Sequence, residues 1–447
     1  MGNSNTMWNP ALETMSREYF REYQLNRLQA QIRHAKDNTA FYKEKLSDIQ
    51  PDKITTMEMV TTIPTTTKSE LREAQHMGDG LYGNLLADDT ESIISYHQTS
   101  GTTGPPIRQS DSLRDWEWWT DCWATVLWAH GVRPDDRVFF PFSYGVFVAF
   151  WAAHSAAKRI GAQVIPGGGM SSVQRVEKIA DLDPTVVAMT PTYAFRLAEV
   201  AEQEGIDLRG SEVAIIICAG EPGASVASTK AALEDLWGAE VYDHAGATEA
   251  GAWGFSCSSD DLGLHVNEAR FLVEVLGPDD EPVSPGDVGR LVVTPLNRYA
   301  QPYVRFELND RVRLSEKNGC DCGRAYRFVD GGVLGRRDEF KTVNGTLLSP
   351  RTVEDIVHGF DTVLNEFHVR IEDHPKKDLD TVSVDVEADQ NHDYNNQRIR
   401  KQLRKELRRH THLNFTVNVL QSGTLDRNTL KSNRFSDLRQ RRAQYRQ

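Results

Sequence analysis

RVFFPFSYGVFVAFWAAHSAAKRIGAQVIP, residues 137–166, joins a short apolar run, a longer amphipathic segment and a second short apolar run. Short apolar runs are typical of buried strands and longer amphipathic segments of helices, so this stretch predicts strand, helix and strand. The same order follows in TVVAMTP at 185–191 with helical spacing at 193–204, and in EVAIIICAG at 212–220 with helical spacing at 225–237. Repeated strand–helix units predict an α/β fold whose parallel sheet is covered by helices on both faces.

The segments that follow this repeat predict a second, smaller domain. Residues 264–333 are richer in strand-like runs, and about a hundred residues of mixed strand and helix character follow, a size that suits a small α+β domain. We therefore predict a large N-terminal domain, residues 1–337, with parallel-rich sheets covered by helices plus a β-rich subdomain. A small mobile C-terminal domain, residues 338–447, would follow it. At the front, apolar residues at helical spacing from Arg17 to Leu46 predict one amphipathic helix.

Composition and charge exclude several classes of protein. The chain has 447 residues, is 39% hydrophobic and carries a net charge of -13, which argues against whole-molecule attraction to nucleic acid or acidic membranes. The basic segment 395–410 contains no aromatic residues among its charges, which favours a solvated helix face over a nucleic-acid surface. Neither the N-terminus nor the apolar stretch 144–161 has the pattern of a signal peptide or a spanning helix. We expect a cytoplasmic protein with small-molecule partners.

TSGTTG, residues 99–104, raises the first question of function, because hydroxyl groups and glycines are crowded there with almost no apolar content. The hydroxyls can donate hydrogen bonds, and the glycines let the backbone curve until successive N–H groups converge, which suits a phosphate group. The usual P-loop of nucleoside triphosphatases is excluded, because the two glycines lie too close and no Lys-Ser or Lys-Thr pair follows. The candidate phosphate-binding residues are Thr99, Ser100, Gly101, Thr102, Thr103 and Gly104.

Further motifs follow in a fixed order: CAGEPG at 218–223, YDHAGATEAG at 242–251, RFELNDRVRL at 305–314, LGRRDEF at 334–340 and GTLDRNTLK at 423–431. Together with TSGTTG they resemble the adenylate-forming superfamily, and within it the phenylacetate–CoA ligase branch. IPTTTKSELREA at 63–74 and GLHVNEARFLVEV at 263–275 also look like this branch, so the resemblance runs nearly end to end. It implies an acid–thiol ligase that makes an acyl-adenylate from ATP and a carboxylic acid and then passes the acyl group to coenzyme A. Among possible carboxylic acids, an aromatic acid is the expected substrate.

The resemblance also implies roles for individual residues. Glu249 would bind Mg²⁺, and the hydroxyl of Thr248 would lie against the α-phosphate. Asp310 would accept both ribose hydroxyls, with Arg336 near the same sugar. The adenine pocket would be lined by Gly220, Glu221, Pro222 and Asp243.

Lys431 is the residue that the resemblance implies for catalysis. From the small domain it would bridge the carboxylate and the α-phosphate, and an ammonium placed there stabilises charge that develops only in the transition state. Asp338 would be the hinge about which the small domain rotates for thioester formation. The acyl chamber would be lined by Tyr144, Phe147, Ala219, Ala245 and Gly246.

Five cysteines in so long a chain are too few for a disulfide framework. Cys257, Cys320 and Cys322, with His265, supply three thiolates and one imidazole, the ligands of a closed structural zinc site, and the same branch of the family carries a similar arrangement. Three small apolar residues and an unrelated histidine are the alternative. The remaining cysteines, Cys122 and Cys218, lie in apolar segments and are expected to be inert.

The chain departs from the family pattern at two positions. Pro105 stands where most relatives carry a lysine that contacts phosphate, and Arg108 is a candidate replacement for that charge. Ala245 stands where a tyrosine usually stacks on adenine, and losing one aromatic stack costs on the order of 1 kcal/mol.

Three functions therefore stay open. The first is the acyl- or aryl-CoA ligase. The second is an adenylating enzyme that passes the acyl or adenylyl group to an amine, a carrier protein or a small molecule. The third is a catalytically impaired nucleotide- or acyl-binding homologue. The first is preferred, because a hinge and a small domain would be of little use to a passive binder. The resemblance also implies a homodimer.

Overall fold

The computed structural model describes residues 6–99, 105–259, 262–317, 319–336, 341–360, 362–375, 379–389, 395–425 and 434–439. Its helices are α1 (Pro10–Glu13), α2 (Arg17–Asn38), α3 (Ala40–Lys45), α4 (Lys68–His76), α5 (Leu113–Ala129), α6 (Ala149–Ile160), α7 (Ser172–Leu182), α8 (Pro191–Glu204), α9 (Ala227–Trp237), α10 (Pro350–His358) and α11 (Asn396–Thr411).

The first strand begins at Ile93, and the last ends at Asp437. They are β1 (Ile93–Gln98), β2 (Arg108–Ser112), β3 (Arg137–Phe140), β4 (Gln163–Pro166), β5 (Val186–Met189), β6 (Ile215–Ala219), β7 (Glu240–Ala247), β8 (Gly251–Phe255), β9 (Gly263–Val266), β10 (Phe271–Leu276), β11 (Val288–Pro295), β12 (Phe306–Arg313), β13 (Phe328–Asp330), β14 (Gly335–Arg336), β15 (Lys341–Val343), β16 (Thr346–Leu348), β17 (Val363–Asp373), β18 (Asp380–Ala388), β19 (Phe415–Leu420) and β20 (Phe435–Asp437).

The central sheet has eight strands in the order β13-β9-β8-β7-β6-β5-β3-β4. β4, β3, β5, β6 and β7 are parallel, which confirms the predicted strand–helix repeat. Successive residues of one strand pack into different cores: Val138 and Phe140 face the α5 and α6 side, while Phe139 faces the α7, α8 and α9 side. Because both faces of the sheet are covered by helices, β5 and the centre of β3 are apolar and buried.

The β-rich section forms a second sheet, in the order β10-β11-β12-β14, with antiparallel pairing. Its pairing places Asp310 of β12 opposite Arg336 of β14. The predicted β-rich subdomain therefore brings together two residues that are separated in sequence and that the family resemblance assigns to the ribose site.

The C-terminal sheet has the order β19-β18-β17-β20, with α10 and α11 packed around its core. In α11 the apolar residues Ile399, Leu403 and Leu407 are buried, and the arginines and lysines of the same helix are exposed. The basic segment is thus a solvated helix face, as predicted. β20 follows the GTLDRNTLK motif and adds a fourth strand to this sheet.

The single lead-in helix predicted from Arg17 to Leu46 was wrong, because the chain forms two helices there. Thr39 adopts an extended conformation with φ -120° and ψ 137°, which ends α2. Its hydroxyl accepts a hydrogen bond from the backbone N–H of Tyr42 at 3.1 Å and so begins α3. The hydroxyl also donates to the carbonyl of Ala35 at 2.9 Å, so one side chain serves both helix ends.

No helix among the described residues is long and apolar enough to cross a membrane. The cytoplasmic location expected from the sequence stays a prediction. The proposed domain boundary and hinge, Asp338, lies outside the described residues, so the division into 1–337 and 338–447 also stays a prediction.

Candidate active site

The candidate site lies where the parallel strands β6 and β7 end, because ligands of such sheets gather at the carboxyl ends of the strands. Gly220 follows β6 in the left-handed conformation, with φ 89°, and turns the chain toward Glu221 and Pro222. At the end of β7, Gly246 is exposed while Glu249 is only 4% exposed. The end of β7 therefore has a buried carboxylate, that of Glu249, three residues after the exposed Gly246.

Glu249 forms an ion pair with Lys68, whose Nζ lies 2.8 Å from Oε1 of the carboxylate. Lys68 is the first residue of α4, and a capping box between Thr67 and Glu70 fixes the start of that helix. Sequence analysis missed Lys68 as a functional residue. The capping pattern in TTTKSEL predicts where the helix begins, but the partner of its first lysine depends on how α4 packs.

The same face of α4 lies against the flank of the phosphate-loop segment. Arg72 donates from Nε to the carbonyl of Pro105 at 3.0 Å, and Gln75 exchanges hydrogen bonds with the backbone of Arg108 at 3.0 and 3.2 Å. Lys68, Arg72 and Gln75 are spaced by four and three residues, which puts them on one side of a helix. The helix therefore places the ammonium of Lys68 next to Glu249 and close to the segment that carries Pro105.

Hydrogen bonds join the residues on either side of the segment 100–106. Thr99 donates its backbone N–H to the carbonyl of Ile107 at 3.0 Å, and its hydroxyl accepts the N–H of Ile107 at 3.0 Å. Thr99 and Ile107 flank the antiparallel strands β1 and β2, and Ser100, Gly101, Thr102, Thr103 and Gly104 lie outside the described residues. Arg108 donates from Nη1 to the carbonyl of Leu81 at 2.7 Å, so that nitrogen is already engaged with backbone.

A fully buried arginine holds the backbone of Thr248 and Glu249. Nη1 of Arg298 donates to the Glu249 carbonyl at 2.7 Å and the Thr248 carbonyl at 3.3 Å, while Nη2 donates to Oδ1 of Asp111 at 3.0 Å. The same Asp111 oxygen accepts the indole N–H of Trp119 at 3.1 Å. Burial penalises the charged form of the Asp111 carboxyl, but the guanidinium of Arg298 and the side chain of His97 together outweigh burial and lower the pKa below its ordinary value.

The residues expected at the nucleotide fall into two groups. Asp243 accepts the backbone N–H groups of Gly223 at 3.3 Å and Ser225 at 3.1 Å, so its carboxylate holds the turn after Pro222. Burial raises the pKa of that carboxyl. Asp310 and Arg336, paired across two strands, approach to 3.9 Å between Oδ1 and Nε. The structure therefore brings the two ribose candidates together and gives Asp243 a supporting position.

The residues expected in the acyl chamber lie beside an aromatic cluster. The Tyr144 ring packs against Phe142 at 4.8 Å and Trp151 at 4.7 Å between centroids, and burial raises its pKa to about 12. Phe147, by contrast, is 50% exposed. Ala219 is buried at the end of β6, and Ala245 is half-buried.

Helix α10 contacts the turn that Asp243 supports. Arg351 donates from Nη1 to the carbonyl of Val333 at 2.8 Å and from Nη2 to the carbonyl of Ser225 at 2.5 Å. Asp355 accepts the hydroxyl of Ser228 at 2.7 Å. The first helix of the small domain thus lies against the loop after β6. Asp338 and Lys431, the hinge and catalytic candidates, lie outside the described residues.

The four predicted metal ligands come together. The Sγ atoms of Cys257 and Cys320 are 3.6 Å apart, and Sγ of Cys322 lies 3.3 Å from Nε2 of His265. All four ligand atoms lie within 4.8 Å of one another. The residues come from the end of β8, from β9 and from the loop before β13, so the cluster joins three separate segments. Cys122 and Cys218 are fully buried, and burial raises the pKa of both thiols.

The chain matches models of the AMP-binding enzyme family and is similar to phenylacetate-coenzyme A ligases. The AMP-binding enzyme family matches residues 19–296, and the AMP-binding enzyme C-terminal domain matches residues 345–439. Phenylacetate-coenzyme A ligase of Pseudomonas putida is 29% identical over 84% of this chain and 83% of its own length. The Escherichia coli enzyme of the same name is 28% identical over 87% and 86%.

Among solved structures, 2-hydroxyisobutyryl-CoA ligase in the postadenylation state, in complex with 2-HIB-AMP, superposes with a TM-score of 0.91 at 25% identity, over 97% of this chain and 92% of that one. The same ligase in the thioesterification state superposes with a TM-score of 0.73, over 100% of this chain and 95% of that one. The arrangement of this chain therefore resembles the postadenylation state more closely.

Replacing Arg298 tests whether it supports the backbone of the site. In Arg298→Leu, the Asp111 carboxylate and two carbonyls lose their buried donor, and we expect a loss of about 3–5 kcal/mol in the free energy of unfolding. Denaturant titration measures it. Arg209→Leu is the control, because Arg209 and its partner Asp235 are 60% and 78% exposed and such pairs contribute little. Equal stability of the two variants would contradict the supporting role.

Proposed function

Because the chain belongs to the AMP-binding enzyme family, we propose that it activates a carboxylic acid with ATP to an acyl-adenylate and transfers the acyl group to coenzyme A. The observation that carries the proposal is the buried Glu249, which follows the carboxyl end of β7 and lies next to Lys68. The similarity to phenylacetate-coenzyme A ligases over most of the chain supports the same chemistry. An aromatic acid stays the expected class.

Adenylation requires a carboxylate to attack the α-phosphate, so the site has to screen one anion from another. Glu249 would bind the Mg²⁺ that accompanies ATP, and this ion would neutralise part of the phosphate charge. Hydroxyl and N–H groups of Thr99 to Gly104 would hold the departing pyrophosphate, and Thr248 would contact the α-phosphate. Asp310 and Arg336 would bind the ribose, while Gly220, Glu221 and Pro222 line the adenine pocket.

Lys68 is proposed to supply the cation that Pro105 removes from the phosphate loop. Without nucleotide it neutralises Glu249, which avoids leaving a buried carboxylate unpaired. With ATP and Mg²⁺ bound, Glu249 would hold the metal ion, and the ammonium of Lys68 would be available to a phosphate oxygen. A lysine suits this exchange, because its charge sits at the end of a flexible chain.

Transfer to coenzyme A would follow rotation of the small domain about Asp338. The contacts of Arg351 with the loop after β6 and of Asp355 with Ser228 of α9 are then the contacts that this rotation breaks. An amine or a carrier protein as acceptor would change only this second step, and an impaired binding protein would lack both steps. We also propose the homodimer that the family resemblance implies, which the molar mass in solution checks.

We further propose that Cys257, His265, Cys320 and Cys322 hold a structural zinc ion. Tetrahedral coordination with Zn–S bonds of about 2.3 Å places neighbouring sulfur atoms about 3.8 Å apart, close to the observed 3.6 Å between Cys257 and Cys320. Four protein ligands leave no open position for a catalytic water. The ion would therefore tie the end of β8 to β9 and to the loop before β13.

The first test is ATP–pyrophosphate exchange with a panel of aryl and short aliphatic acids, with and without coenzyme A. We expect exchange with one class of acid, and a loss of at least about a hundredfold in Lys431→Ala, because the missing ammonium acts in the transition state. Lys401→Ala, in the exposed face of α11, is the matched control. Exchange without any thioester product would favour the other acceptors. Binding of ATP or an acid without exchange would favour the impaired homologue.

Lys68→Ala is expected to lower kcat/KM for ATP roughly ten- to a hundredfold, the range for losing one hydrogen bond to a charged group. Lys68→Arg should recover part of the loss. Lys45→Ala is the control. It removes the ion pair between Lys45 and Glu70, a residue of the same helix as Lys68, and should leave kcat/KM for ATP unchanged. Equal values for Lys68→Ala and the wild type would remove Lys68 from the site.

Metal analysis tests the zinc proposal. We expect about one zinc ion per chain after purification from zinc-supplied cells, with loss of the metal and a lower thermal midpoint in Cys320→Ser, since bound metal contributes folding free energy. Cys122→Ala keeps all four proposed ligands and should keep the metal. A metal-free wild-type chain, or full zinc content in Cys320→Ser, would contradict the site.

A further inference from the structure

One nitrogen of His244 has no hydrogen-bond partner among the described residues. The ring lies on β7 between Asp243 and Ala245, and its Nδ1 approaches the carbonyl oxygen of Gly254 on β8 at 2.9 Å. A carbonyl oxygen only accepts hydrogen bonds, so Nδ1 carries the ring proton in this contact. The neutral ring then has a lone pair on Nε2 and no proton there.

The ring is held in this neutral form by its surroundings. His244 is 6% exposed, and burial lowers its pKa to about 4, because a charged imidazolium would lose its hydration. The hydrogen bond to Gly254 opposes that shift but does not cancel it. Near neutral pH, Nε2 is therefore a hydrogen-bond acceptor that none of the described residues satisfies.

The position of Nε2 connects it to the candidate site. A Cβ atom added to Gly246 would lie 3.0 Å from Nε2, so the acceptor lies directly against the backbone of that glycine. Gly246 is exposed, and it precedes Thr248 by two residues. A larger residue at position 246 would cover the acceptor, whereas glycine leaves it close to the open surface.

One aromatic ring packs directly against His244 and connects it to an aromatic cluster. Trp123 lies 4.1 Å from it between ring centroids, and Phe150 continues the cluster from Trp123 to Phe142 and Tyr144. The hydroxyl oxygen of Tyr144 is also buried without a hydrogen-bond partner among the described residues. The cluster thus combines apolar walls with two polar atoms that a bound molecule can satisfy.

We propose that Nε2 of His244 selects a carboxylic acid that carries a hydroxyl or amino group over the same acid without it. The inference rests on the proposed function, because that function places the acyl group against Ala245 and Gly246. A hydroxyl or amino group on the bound acid would donate a hydrogen bond to the lone pair of Nε2. An unsubstituted acid leaves a buried acceptor unpaired, and a site built around a substrate donor rejects the analogue that lacks it.

The test uses matched pairs of acids: phenylacetate with 4-hydroxyphenylacetate, benzoate with 2-hydroxybenzoate and 2-aminobenzoate, and isobutyrate with 2-hydroxyisobutyrate. ATP–pyrophosphate exchange gives kcat/KM for each, and calorimetric titration gives the dissociation constant of each acid. We expect the full-length protein to prefer the substituted member of at least one pair by about tenfold or more. His244→Leu, which has no acceptor, should reduce that ratio to near one.

His244→Gln restores an acceptor and should recover part of the preference. His130→Leu is the control, because His130 is a second buried histidine, stacked on Tyr242 at 4.9 Å, and it should lower stability without changing the ratio. Exchange without preference, or a preference that persists in His244→Leu, overturns the inference and leaves the proposed function standing. Preferential binding without exchange supports the inference and contradicts the proposed function. Neither binding nor exchange overturns both.

Discussion

The guanidinium of Arg298 is the interaction on which the site depends. It is fully buried, and it binds two carbonyl oxygens at the end of β7 and the Asp111 carboxylate on β2. Thr248 and Glu249 follow β7, and β2 is the second strand of a hairpin between whose strands TSGTTG lies in the sequence. One cation therefore fixes the distance between the carboxylate and the phosphate-loop hairpin. A buried guanidinium that is paired with a carboxylate is costly to disturb, so this geometry is held even without a ligand.

The region around Glu249 combines residues from two separate parts of the chain. Pro105 stands where the family resemblance implies a lysine, and α4 brings Lys68 to Glu249. Arg72 and Gln75 hold the same helix against the hairpin flank. The ion pair keeps two charges in a mostly buried place, which is stable only while each has the other or a bound phosphate and metal.

The small domain lies close to the site rather than apart from it. Arg351 of α10 binds the loop that follows β6, which is the loop that Asp243 supports, and Asp355 binds Ser228 at the start of α9. The higher TM-score to a postadenylation state than to a thioesterification state agrees with this contact. Hydrogen bonds of this kind are few and partly exposed, so they can break and reform while the apolar cores of both domains stay intact.

The sequence by itself determined the parallel sheet, the β-rich section, the small α+β domain and the family. Those features depend on local periodicity and on short motifs. The apolar run from Val138 to Phe140 predicts a strand, and the spacing of apolar residues around Leu403 predicts helix α11. It also paired distant residues through the family resemblance, as with Asp310 and Arg336 or the cysteine and histidine cluster. It erred at Thr39, where one hydroxyl divides a helix that apolar spacing alone made continuous.

Only the tertiary structure decided the partners of Lys68, Arg298 and His244. Each belongs to a segment whose local pattern has another sufficient explanation: a helix start, a polar loop and a strand end. Their roles come from contacts across 181, 187 and 10 positions of the chain, to Glu249, Asp111 and Gly254. A sequence pattern records which residues can share a face of one element. It does not record which element packs opposite, and burial by that packing is what turns a charge or a lone pair into a specific interaction.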